Sequence, residues 1–89
     1  MFTKLFFTPV YSPSGTRLQG WVVTHYSLLS EQVKHWSFKP DEITKQDVAL
    51  YHKGALVQQA FARLSRTQRE FLISGLTPRE QASLGMPVD

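Results

Sequence analysis

Residues 17–28 sort by parity into two sets: Leu18, Gly20, Val22, Thr24, Tyr26 and Gln19, Trp21, Val23, His25, Ser27. Successive side chains of a strand point to opposite faces, so the segment predicts a strand with large apolar groups on both sides. Either both faces are covered, or one is exposed and adhesive. Residues 4–11 predict its antiparallel neighbour. Between them, Ser12-Pro13-Ser14-Gly15-Thr16 supplies a fixed φ at Pro13 and a permissive one at Gly15, as a hairpin loop requires. Pro9 has no N–H to give a ladder, which predicts an edge or a bulge there. Residues 32–38 fit either a third strand or one helical turn, for which Ser30 followed by Glu31 could serve as a cap.

Beyond Lys39-Pro40-Asp41 the period changes. Thr44, three residues before Asp47, has the form of a helix N-cap with an acid in the first turn. Leu56, Val57, Ala60, Phe61 and Leu64 follow helical spacing and predict one apolar stripe. Gly54 either breaks that helix in two or weakens it by about 1 kcal/mol. Ser65-Arg66-Thr67-Gln68 is a capping box opening a helix to Ser74, with Gly75 as a left-handed stop. Thr77-Pro78-Arg79-Glu80 opens a further short helix, which Gly85 and Pro87 end. Strands followed by helices make the expected class α+β: an N-terminal antiparallel β-hairpin or three-stranded sheet packed on two to four short C-terminal helices.

Composition sharpens this picture. Eight of the eleven aromatic residues fall in residues 1–38, whereas the second half is rich in Gln, Ala and Leu. Strand-favouring and helix-favouring residues are thus segregated. A length of 89 residues predicts one domain, with a β-rich half at 1–40 and a helical half at 43–85. Charged residues make up 19% and hydrophobic ones 42%, a folding composition. Cys is absent, which excludes disulfides, thiolate metal sites and a cysteine nucleophile. No apolar run reaches the ~18–20 residues of a membrane span. Thr8, Pro9 and Tyr11 interrupt the apolar start before a signal-peptide core could form, so the expected setting is cytoplasmic.

The segments Gly54-Ala55-Leu56-Val57-Gln58-Gln59-Ala60-Phe61, Leu64-Ser65 and Arg69-Glu70-Phe71-Leu72-Ile73-Ser74-Gly75-Leu76-Thr77-Pro78-Arg79-Glu80 together resemble a recurrent C-terminal segment of small bacteriophage and prophage proteins of unassigned function. The resemblance spans about residues 46–84. It departs from the pattern at Ala62, where that family has Pro, and at Gln81, where it has Trp. An acid-rich surface in that family is replaced here by Arg63, Arg66, Arg69 and Arg79. The resemblance implies a mobile-element origin and a host-cell cytoplasmic setting.

Few residues offer chemistry. His25, His35 and His52 lack ligand spacing, so no metal is expected. No nucleophile elbow is present, the five Gly are scattered singly, and Asp41-Glu42 are adjacent loop acids. The expectation is no enzyme and no cofactor. The net charge of +3 is modest, but Arg63, Arg66, Arg69 and Arg79 gather in the helical half. Arg66 and Arg69 are three apart and share a helix face. Guanidinium groups there would seek phosphates or acidic protein surfaces. Trp21 and Trp36 would add buried area, as Trp does at interface anchors.

The leading expectation is a non-enzymatic phage or mobile-element accessory protein that binds a host protein or nucleoprotein machine, for example a defence or transcription component, and blocks or redirects it. An alternative is direct nucleic-acid binding. Residues 64–80 also resemble the helix-turn-helix of bacterial response regulators, although the would-be recognition helix offers only Arg79 and Gln81 as base-reaching side chains. A third reading is a homodimer or virion component assembling through an exposed strand at residues 4–11. No membrane partner is expected.

Overall fold

The computed structural model describes residues 5–87. Lys4, where the first strand was expected to begin, and Phe2 lie outside that range. Strands β1 (Leu5–Tyr11), β2 (Leu18–Tyr26) and β3 (Val33–Phe38) precede helices α1 (Lys45–His52), α2 (Val57–Ala60), α3 (Arg66–Ser74) and α4 (Pro78–Ser83). The strands form an antiparallel meander in the order β1-β2-β3, so residues 33–38 are strand rather than helical turn. The turn before β3 is shaped by Ser27. Its hydroxyl accepts from the N–H groups of Leu29 and Ser30, and Glu31 takes a positive φ of 59°. That leaves Ser30 inside a turn, with no helix for it to cap.

β1 is an edge strand, as Pro9 requires, and the β1–β2 register shifts between Val10 and Tyr11. Gly20 sits opposite Val10 with φ 150°, and a Cβ there would collide with the Phe38 carbonyl. Only glycine fits this close crossing of β2 and the end of β3.

Parity decides which residues share the sheet face that the helices cover. Trp21, Val23 and His25 of β2 face them, along with Phe7, Trp36 and Phe38. Phe7 stacks on Phe61 at 5.4 Å, and Trp36 meets Phe71 edge-on at 5.4 Å. Ile43, Val48, Val57, Leu64 and Leu72 complete the core. Each such fully buried large side chain contributes about 1.5–3 kcal/mol relative to exposure. The other sheet face carries Phe6, Val10, Val22, Tyr26 and Val33, and among the described residues no helix covers it; Phe6 is 56% exposed. The two apolar faces of β2 are therefore unlike: one is core and one is open.

The helix signals translate closely. Capping boxes close Thr44–Asp47, Ser65–Gln68 and Thr77–Glu80, and Gly75 ends α3 in the left-handed region at φ 78°. The expected stripe from Leu56 to Leu64 is not one helix. Gly54 takes φ 107° and the chain breaks. Leu56 becomes the N-cap of the one-turn α2 and Phe61 its C-cap, while Leu64 packs from the following turn. Val57, Ala60, Phe61 and Leu64 are core positions supplied by α2 and the turn after it, whereas Leu56 is exposed.

Candidate functional site

The sequence-derived candidates separate once folded. Trp21 is 5% exposed, and its indole N–H donates to the Ile43 carbonyl at 2.9 Å. It ties the sheet to the approach of α1 and offers no surface anchor. Trp36 is half-buried, stacked on Phe38 at 5.4 Å and edge-on to Phe71. Part of its ring surface stays open to solvent. Trp21 is thereby corrected from a docking group to a core group, because the covered face of β2 and β3 has the parity of residues 21, 23, 36 and 38, while Trp36 packs against that core and is only partly covered.

The arginines divide three ways. Arg63 reaches back to α1 and pairs with Asp47 at 2.6 Å. Asp47 also accepts from the Thr44 N–H, so one carboxylate both caps α1 and neutralises Arg63. Arg66 and Arg69 stand together on the first turns of α3. Arg69 donates through Nε to the Ser65 carbonyl, which orients the side chain without neutralising it. Arg66 is exposed, and among the described residues neither it nor Arg69 has a carboxylate within ion-pair distance. Arg79 is exposed on α4, a separate helix whose first turn is tied to the β2–β3 turn through Glu80 and Ser27.

Two acids on this side, Glu42 and Glu80, are committed to structure, whereas Glu70 stands half-buried on α3 itself. Glu42 accepts from the Lys39 N–H at 2.9 Å and from the Gln68 amide at 3.0 Å. Those two hydrogen bonds, the backbone one foremost, hold its carboxyl below the usual range. Burial pushes the Glu80 carboxyl up, but this is outweighed by the backbone N–H of Thr77 and the hydroxyls of Ser30 and Ser27, and the net shift is downward. Glu42 and Glu80 thus brace a turn and a cap, while Arg66, Arg69 and Arg79 have no ion pair among the described residues.

The helix-turn-helix likeness fails at one residue. Gln81 is buried, and its amide donates to the carbonyls of Thr67 at 3.0 Å and Leu76 at 2.9 Å. It locks α4 onto α3 and cannot read a base edge. Self-pairing through β1 has the edge it needs, but Pro9 and the irregularity after Val10 interrupt the row of donors. Among the described residues no group of three or more His, Asp or Glu is placed to hold a metal, and no helix is long and apolar enough to cross a membrane.

Sequence reasoning weighed His25 only as a metal ligand and did not place it in the core. It is 2% exposed, on the same parity as Trp21 and Val23, and that shared parity was the available signal. Comparison with known proteins adds no family: no family model, curated protein or solved structure matches the chain.

Proposed function

We propose that the chain is a small non-enzymatic binding module that docks on an acidic surface of a host macromolecule and acts by occlusion. Arg66 and Arg69 form the charged contact, with Arg79 as an outlying one. The setting, a phage or other mobile element working in a host cytoplasm, rests on the resemblance of residues 46–84. The observation that carries the reading is the direction of the charges. Asp47, Glu42 and Glu80 are consumed by caps and turns, whereas the α3 guanidinium groups stay un-neutralised beside them. Guanidinium groups left in this state favour fast, salt-sensitive docking to carboxylate or phosphate.

The test is partner capture from host lysate by the native chain and by an Arg66→Glu, Arg69→Glu variant. The expected result is loss of capture with a little-changed melting temperature, because Arg66 is exposed and neither residue has an ion pair to lose among the described residues. Undiminished capture would remove these arginines from the mechanism. Random duplex and single strands at ~50 mM salt form the second arm. Affinity falling with salt in proportion to the phosphates neutralised would assign the same face to nucleic acid.

A further inference from the structure

The sheet face turned away from the helices plays no part in arginine docking. Its side chains stand in cross-strand rows, Phe6–Thr24–His35 and Thr8–Val22–Ser37, with Tyr26 and Val33 paired beyond them. Phe6 and Val33 are 56% and 59% exposed. A continuous apolar surface of this kind is uncommon on a monomer and marks a contact site.

Three features select what covers it. The first is charge. None of these eight positions is Lys, Arg, Asp or Glu, in a chain whose net charge is +3. Phosphates, anionic headgroups and acidic protein surfaces find no cation there, and a basic partner finds no carboxylate. The complementary surface is therefore itself uncharged. At the centre, Thr24 Oγ1 lies 2.9 Å from His35 Nδ1, so two of the polar groups already serve each other. Such a pair loses its water at lower cost than two unpaired groups. The second feature is shape. Sheets twist with a fixed hand, and two such faces pack about 10 Å apart with their strands about 30° from parallel. The same face on a second copy is uncharged and has the same twist, and a two-fold axis between the sheets makes a closed pair. The third is the guarded edge. Pro9 and the register shift after Val10 interrupt the donors of β1, which disfavours growth by strand addition there.

We propose that the chain forms a homodimer in which two sheets pack open face to open face, as a sandwich of three strands from each copy. β2 has nine residues. At about 3.3 Å per residue and about 4.8 Å between strands, the face measures roughly 30 Å by roughly 14 Å, or about 400 Å². Two copies together cover about 800 Å², below the ~1,200–2,000 Å² of stable complexes. The dimer is therefore weak and reversible, with a Kd between about 10 µM and about 1 mM. The helices pack on the opposite side of each sheet, so dimerisation leaves Arg66 and Arg69 of both copies uncovered. It stands or falls independently of arginine docking.

Sedimentation velocity from about 5 µM to about 1 mM tests this, and a reversible monomer–dimer equilibrium is expected. Raising NaCl from ~50 mM to ~500 mM should leave the Kd within about twofold, because the contact holds no charge. Phe6→Lys with Val33→Lys, both at positions exposed in the monomer, should raise the Kd at least about tenfold at a native-like melting temperature. Val33→Lys alone gives the same reading with a smaller perturbation. The Arg66→Glu, Arg69→Glu chain should dimerise as the native chain does. In a mixture of ¹³C-labelled and unlabelled chains, intermolecular NOEs should join Phe6, Val22 and Val33 of the two copies. A monomer at about 1 mM, a dimer untouched by the lysine variants, dissociation by salt, growth beyond two copies, or NOEs confined to the β1 edge would each overturn the assignment. So would a monomer whose Phe6 and Val33 signals vanish on phosphatidylcholine vesicles, which would give the face to a lipid surface.

Discussion

Gly75 does two things that no other residue could combine. Its φ of 78° turns the chain out of α3, and its missing side chain admits the Tyr26 carbonyl and the His25 ring edge. Gly75→Ala should therefore cost about 2 kcal/mol or more, the left-handed penalty adding to a forced shift of β2. Thermal unfolding measures it, and a near-native melting temperature would show that the close approach is not needed. Trp21 offers a second test. Trp21→Phe retains most of the buried ring but leaves the Ile43 carbonyl without its donor, at an expected cost of about 1–3 kcal/mol in denaturant unfolding. Sequence parity placed Trp21, Val23 and His25 on one face, but it could not say which face the helices would cover. That choice is made by Phe61, Phe71 and Leu72, side chains remote in sequence, so the burial of Trp21 was not legible from its own segment.

Among the elements, the caps were the most legible feature because their chemistry is local. Thr44–Asp47, Ser65–Gln68 and Thr77–Glu80 each satisfy helix N–H groups within four residues, whatever the tertiary structure. Ser65→Ala and Thr77→Ala should each lower stability by about 1 kcal/mol, readable as a shift in denaturant midpoint at constant slope. Glu80 adds a pH term. Its folded pKa lies below the ordinary 4.5, so its ionised form stabilises the fold above that value, and the contribution is lost as pH falls through the folded pKa. Glu80→Gln should lower the melting temperature at neutral pH and lessen its further fall between about pH 6 and about pH 3. An unchanged acid slope would place the acid sensitivity elsewhere, with Glu42 the next group to substitute. The stripe at Leu56–Leu64 was misread because periodicity records burial, and a turn can bury Leu64 as well as a helix can. The spacing groups the arginines as one patch, but Arg63, in the turn after α2, is drawn to Asp47 on α1, a contact between residues sixteen apart.

At the scale of the whole molecule, the sheet and the helices share one core but do not share chain segments. The α+β order was legible because aromatic and β-branched residues end where the capping signals begin. Charge is also distributed at this scale: exchanging Arg66 and Arg69 for Glu should leave stability within about 0.5 kcal/mol, since neither has an ion pair to lose among the described residues. A larger loss on thermal unfolding would mean that these groups support the fold. The order of the elements has a consequence for synthesis. The three-stranded meander leaves the ribosome first, with Trp21 and Val23 ready on its inner face, while Phe71 and Leu72 follow about 50 residues behind. At translation rates of roughly 5–20 residues per second, that delay lasts on the order of several seconds. Throughout that interval the nascent half-protein is greasy on both sides, a natural client for a chaperone until its own C-terminal segment arrives to close it.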